Sequence, residues 1–190
     1  MSRDSGDDLR DRLRWQQTRA LWRYVGDERP PFAVAPGPDQ QSVWDFPRPP
    51  ALVPDAREVV VRAGGIDIAR STRTLRLLET ASPPTFYIPA ADVRTDLLPA
   101  ADGSSHCEWK GQAQYRAFSA PDGRRCMAWT YPDPLPPYQA LAGHFAFYPR
   151  DFECLVDGVR VLPQPGGFYA GWITPELVGP FKGEPGSQGW

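Results

Sequence analysis

From Arg57 onward the apolar positions alternate with polar ones or run in short blocks; before it they follow other patterns. Glu58 to Ala63 is a Val-rich block, Gly64-Gly65 is a two-residue turn suited to positive φ, and Ile66 to Ala69 returns, which predicts a β-hairpin. Thr74 to Glu79 reads as a third strand, and Thr85 to Ile88, bounded by Pro83-Pro84 and Pro89, as a short fourth. Gly111 to Phe118 alternates well: Gly111, Ala113, Tyr115 and Ala117 face one way, Gln112, Gln114 and Arg116 the other. Pro121-Asp122-Gly123 turns the chain into Arg125 to Tyr131, with Met127, Trp129 and Tyr131 on one face. A helical turn is expected over Tyr138 to Leu141 and a strand over Gly143 to Tyr148. A last hairpin, Phe152 to Val156 and Val159 to Leu162, turns at Asp157-Gly158.

The ends read differently. Ser5 suits a helix N-cap, with Asp7 and Asp8 at the positive end of the dipole, and Leu9, Leu13, Ala20 and Tyr24 fall on one stripe before Gly26. This predicts an amphipathic helix that packs on the domain or meets a partner. Residues 27 to 56 are Pro-rich extended chain, in which Trp44 and Phe46 are expected to anchor a strap to the body. The tail from Gln164 to Trp190 holds too many aromatics to be disordered and is expected to pack, with a turn at Thr174-Pro175. The division expected is a helix and Pro-rich lead over 1–40 and one β-rich domain with an extended tail over 41–190. The fold class is mainly β, with helix only at the margins: a small antiparallel β-barrel or a tent-like β-fold, with an N-terminal helix and wrapped termini.

Composition sharpens this picture. The 23 Pro and 17 Gly argue against long helices, and seven Trp let a small core be built from few large side chains. The net charge of −2 lacks the basic excess of a polyanion binder, so nucleic acid is not an expected partner. Cys107, Cys126 and Cys154 are widely spaced, with no C-x-x-C pair, which is neither a disulfide framework nor a zinc knuckle. The charged opening Met1-Ser2-Arg3-Asp4 is no export signal, and no apolar run suits a membrane span, so a cytoplasmic chain away from membranes is expected. Lys110 and Lys182 are the only lysines among many arginines.

Three stretches carry candidate chemistry. Glu79 shares a strand face with Leu75 and Leu77, which puts a carboxylate beside core leucines, where it needs a partner or a raised pKa. His106-Cys107-Glu108-Trp109-Lys110-Gly111 holds one of two histidines, one of three cysteines and one of two lysines, just before the best strand. In it His106 can carry a proton near neutral pH, Lys110 can hold an anion, and Gly111 would let a ligand approach the backbone. Trp129-Thr130-Tyr131-Pro132-Asp133-Pro134-Leu135-Pro136 puts aromatic side chains before a stiff loop, a pocket wall in the making. His144 reads as a hydrogen-bonded core histidine. No phosphate-loop, dinucleotide or nucleophile-elbow motif is present, the spacing calls for no metal, and no particular cofactor is indicated.

Several of these stretches together resemble one known family. The run Arg76-Leu77-Leu78-Glu79-Thr80, then Pro84-Thr85-Phe86-Tyr87-Ile88-Pro89, Asp92-Val93, His106 to Gly111, Ala128 to Pro136 and Ala142-Gly143-His144-Phe145-Ala146-Phe147-Tyr148 is similar to the domain of unknown function 427 family, sometimes labelled nucleotidyltransferase-like. With the flanks Ser42 to Pro50 and Gln164 to Tyr169, the resemblance spans residues 41 to 190. It implies a small tent-like β-fold with a shared polar pocket built from Glu79, Tyr87, His106, Lys110, Trp129 and Tyr131. Glu108-Trp109 departs from a more typical Pro-Phe pair, which changes the rim. Nucleotidyl transfer needs a metal held by paired carboxylates and a phosphate cradle, and the sequence offers neither.

The functional expectation is a small-molecule pocket. It would act as an enzyme on an anionic, nucleotide-like or aromatic metabolite, with Glu79 and His106 handling protons, Lys110 holding the anion, and Tyr87, Trp129, Tyr131, Cys107 and Gly111 contacting the ligand. A non-catalytic ligand- or protein-binding module is the alternative. A homodimer completed by the N-terminal helix and strap is a third reading.

Overall fold

The computed structural model describes residues 13, 16, 17 and 20–190. The expected N-terminal helix, including Ser5, Asp8 and Leu9, lies mostly outside them. Of its stripe, Leu13 and Ala20 are exposed and Tyr24 is buried. From Gln41 onward the helical elements are four three-residue 3-10 turns, one of them Gln139–Leu141 as expected.

Strand β1 (Gln41–Ser42) leads to β2 (Ala51–Asp55), β3 (Val59–Ala63), β4 (Ile66–Ser71), β5 (Thr74–Glu79) and β6 (Ser82–Pro89). Then come β7 (Ala100–Cys107), β8 (Gly111–Ser119), β9 (Arg125–Thr130), β10 (His144–Phe147), β11 (Glu153–Val156) and β12 (Val159–Arg160). The short β13 (Leu162–Pro163), β14 (Trp172–Ile173) and β15 (Leu177–Val178) tie the tail back. The two predicted glycine turns form as expected, with Gly64 and Gly65 at φ 56° and 78°, and Asp157 and Gly158 at 48° and 75°.

Seven strands make one antiparallel sheet in the order β2-β5-β6-β10-β9-β8-β7, and four make a second, β12-β11-β3-β4. The fold is mainly β, as the pattern predicts, but no sheet closes into a barrel. The physical reason lies at the edges. β2 carries Pro54, which has no N–H to offer a further strand, and β7 is half-exposed or exposed along its whole length.

The two-residue period of the strands sorts side chains between two layers. Phe86, Ile88, Phe118, Cys126, Ala128, Phe145 and Phe147 of the large sheet pack with Val59, Val61, Ile68, Cys154 and Val156 of the small one. Trp172 from the tail is fully buried in this layer, stacked on Phe86 at 4.9 Å, and donates its Nε1–H to the Phe147 carbonyl at 3.1 Å. The opposite face of the large sheet presents Leu77, Tyr87, Ala113, Trp129, Tyr131 and Ala146. A third cluster holds the strap: Trp44 and Phe46 are buried with Tyr24, Val43, Ala81 and Leu177. Thr80 Oγ1 donates to the Phe46 carbonyl at 2.5 Å, so the expected anchors do anchor.

Candidate functional site

The second face of the large sheet is the floor of a cavity of about 440 Å³, within the range of small-molecule sites. β5 contributes Leu77 and Glu79, β6 contributes Tyr87, and β9 with its following residue contributes Trp129 and Tyr131. The aromatic wall interlocks. Trp129 lies 4.7 Å from Tyr148, and Tyr87 lies 6.4 Å from both Trp129 and Tyr131, centroid to centroid. The end of β7 and the turn before β8 close one side with Ser105, His106, Cys107, Glu108 and Lys110. Trp22, Gln164, Phe168, Tyr169, Ala170 and Lys182 form the roof.

The turn between β7 and β8 explains why a lysine points inward. Gly111 sits at φ +89°, a conformation that reverses the chain at little cost without a Cβ. A Cβ there would meet Leu135 Cγ at 3.0 Å, and Leu135 N–H donates to the Lys110 carbonyl at 3.0 Å. The reversal drives Trp109 and Lys110 into the protein, to 1% and 7% exposure, while Glu108 stays at the rim. Gly111 therefore shapes the turn and is not among the residues that line the cavity.

The electrostatics are uneven across the site. Burial works against the Lys110 ammonium, but Cys107, Tyr131 and Glu79 outweigh it and its pKa is raised. The ammonium lies 5.8 Å from the Tyr131 ring centre, shares the cavity with Cys107, and forms no ion pair with a carboxylate among the described residues. Burial pushes the Tyr87 and Tyr131 phenols up, so both stay neutral at physiological pH. Glu79 Oε1 lies 3.4 Å from Arg48 Nε. Arg48 is itself 1% exposed, and donates to the carbonyls of Tyr24 at 3.2 Å and Thr80 at 2.8 Å. Burial, seconded by Glu79, holds the Glu108 carboxyl above its ordinary range. Burial, seconded by Arg48, depresses Lys182. The Trp22 ring lies between two cations, 4.1 Å from Arg48 and 4.1 Å from Lys182. Arg48, Lys110 and Lys182 against Glu79 and Glu108 leave one positive charge in and around the cavity.

Glu79, Tyr87, His106, Cys107, Lys110, Trp129 and Tyr131 all line this one cavity. His106 is exposed at its rim, and Glu79 is half-buried and tied to Arg48 rather than poised alone. His144 lies elsewhere: it pairs with Pro89 across the sheet, is half-exposed rather than in the core, and its Nδ1 is 3.3 Å from the Ala142 carbonyl. The sequence reading did not place Trp22, Arg48, Tyr148, Tyr169 or Lys182 at the site, and gave Glu108 only a place on the rim. The scarcity of lysine singled out Lys182, and the departure at Glu108-Trp109 marked Glu108. Arg48 and Trp22 carried no local signal.

With the geometry in place, a comparison with known families assigns the chain. The domain of unknown function DUF427 matches residues 51–159, more than half of the sequence. The chain belongs to the DUF427 family. A search of curated proteins gives no significant match. The matched stretch is narrower than the 41–190 of the resemblance, and it divides the cavity in two. The DUF427 stretch supplies the floor and the charged turn, from Leu77 to Tyr148. The roof residues Trp22, Gln164, Phe168, Tyr169 and Lys182, and Arg48 beside them, lie outside it. Among the described residues no helix is long and apolar enough to cross a membrane.

Proposed function

We propose that the chain binds a small anionic metabolite in this cavity, with a carboxylate or phosphate on Lys110 and a planar group against Trp129, Tyr131 and Tyr148. One observation carries the reading: a buried ammonium lines a cavity of ligand size and has no carboxylate partner among the described residues. The surroundings keep Lys110 protonated, so it offers a bound anion a cation away from bulk water. The excess of cationic side chains in and around the cavity suits an anionic ligand.

Two observations favour chemistry beyond binding. Burial, seconded by Glu79, raises the Glu108 pKa, which favours a carboxyl that exchanges a proton with a ligand. His106 shares the rim and is a second proton carrier. In this reading Glu79, locked by Arg48, positions rather than transfers. The three free thiols fit a reducing cytoplasm.

The test is a thermal-shift screen of carboxylates, sugar phosphates, nucleotides and aromatic acids, run in parallel on Lys110→Met. A ligand that binds the native state raises its melting temperature by mass action. The reading expects anionic compounds to stabilise the parent and not the variant. Stabilisation by neutral or cationic compounds alone, or shifts that survive in Lys110→Met, would sink it.

A further inference from the structure

The three cysteines stand in different surroundings. Cys126 and Cys154 are each 1% exposed in the apolar layer between the sheets, where burial pushes both thiols up. Cys107 ends β7, half-buried, and lines the cavity. Three residues on, the buried Lys110 lines the same cavity, its ammonium 5.8 Å from the Tyr131 ring centre. A thiol and a buried cation therefore share one cavity with Tyr87, Trp129 and Tyr131.

We propose that Cys107 is a nucleophile for electrophiles that carry a carboxylate or phosphate close to the reacting carbon, with Lys110 holding the anion. The proposal rests on the reading of Lys110 as the anion site and assigns the chemistry next to it. A cation that shares a cavity with a thiol three residues away brings a bound anion toward the sulfur. A carbon one or two bonds from that anion is then held near Sγ, and such placement replaces a chance collision with an intramolecular approach.

For a conjugated unsaturated acid the step is an addition. The thiolate sulfur forms a bond to the β-carbon, the π pair of the double bond moves to the α-carbon, and that carbon takes up a proton to replace the one the thiol has lost. Sulfur and hydrogen have then added across the double bond. Nothing leaves, and no separate oxidant or reductant takes part.

The test uses two reagents with the same reacting group, iodoacetate and iodoacetamide, on the intact native chain. With either, the sulfur–carbon bond forms as the carbon–iodine bond breaks and iodide departs. Rates at each cysteine are read by peptide mass spectrometry. Both reagents need the same thiolate, so the iodoacetate-to-iodoacetamide ratio at Cys107 reports recruitment of the anion and not the thiolate fraction.

Native protein should be alkylated at Cys107 ahead of Cys126 and Cys154. Lys110→Met should lower the ratio by about tenfold, the size of one modest charge-assisted contact, and Lys110→Arg should keep most of it. The same ratio measured on the parent unfolded in denaturant supplies a reference that needs no variant, and it should also lie about tenfold below the native value. A native ratio equal to the denatured one, or alkylation of Cys126 or Cys154 as fast as Cys107, would overturn the proposal. Should the ratio stay flat while Lys110-dependent thermal shifts persist, the nucleophile fails and the anion site stands. Loss of both removes the anion site as well. A Cys107→Ser chain should lose the alkylation at this position.

Discussion

Removing the Arg48 guanidinium should destabilise the protein more than its single ion pair suggests. Arg48→Met keeps the aliphatic stem and deletes the cation. Two carbonyls, Tyr24 and Thr80, lose donors at 3.2 and 2.8 Å, Glu79 loses its partner at 3.4 Å, and Trp22 loses one of its two cations. A hydrogen bond from a charged donor contributes about 1.5–3 kcal/mol, and stranding one member of a buried ion pair costs about 3–5 kcal/mol. These figures do not simply add, because methionine relieves the desolvation of the guanidinium. Glu79 also keeps 22% of its side chain exposed, so water takes up part of its stranded charge. A net loss of about 3 kcal/mol follows. For a chain of this length that corresponds to a fall in Tm of about 6–12 °C. Differential scanning calorimetry at neutral pH reads it directly. Arg48→Met/Glu79→Gln should recover part of the loss, because the stranded charge is gone. A fall below about 2 °C in Arg48→Met would refute the reasoning and make the strap's anchorage purely apolar.

Glu108→Gln should be more stable than the parent at neutral pH, because the parent carboxyl, raised by burial and by Glu79, is costly when ionised. The sign follows from linkage. A carboxyl with a raised folded pKa contributes nothing adverse in acid and destabilises as pH rises through that pKa, so the two melting curves should converge in acid. Gly111→Ala should cost about 1–3 kcal/mol in a urea titration, since alanine is strained at φ +89° and its Cβ crowds Leu135. Trp172→Ala should cost about 3–5 kcal/mol in the same assay, by opening the layer between the sheets and stranding the Phe147 carbonyl.

The sequence was most legible where one face of a strand meets a core. β3 and β4 form where the Val-rich block and its return predict a hairpin, β8 and β9 where the later alternation predicts strands, and the glycine turns at Gly64-Gly65 and Asp157-Gly158 form where the residue types require positive φ. Two edge strands escaped notice. β2 looked like polyproline because Pro54 is tolerated only on an edge, and β7 lacks hydrophobic alternation because an exposed edge has little to bury. β6 runs longer than Thr85 to Ile88 because Pro83 and Pro84 fall where its pairing with β5 is irregular. At the site, the His106 to Gly111 cluster and the Trp129-Tyr131 wall were readable as unusual residue types beside clean strands. The roof was not, because Trp22, Arg48 and Lys182 meet only through packing between distant parts of the chain.

The central claim is that the Lys110 ammonium is the anion site, and the scarcity of lysine makes it directly observable. Protein labelled with ¹⁵N at the lysine side-chain nitrogen carries two such groups, Lys110 and Lys182, which a Lys182→Arg variant distinguishes. The account predicts that an anion which stabilises the protein moves the Lys110 signal, and moves it more than that of Lys182. A stabilising anion that leaves the Lys110 signal in place would contradict it.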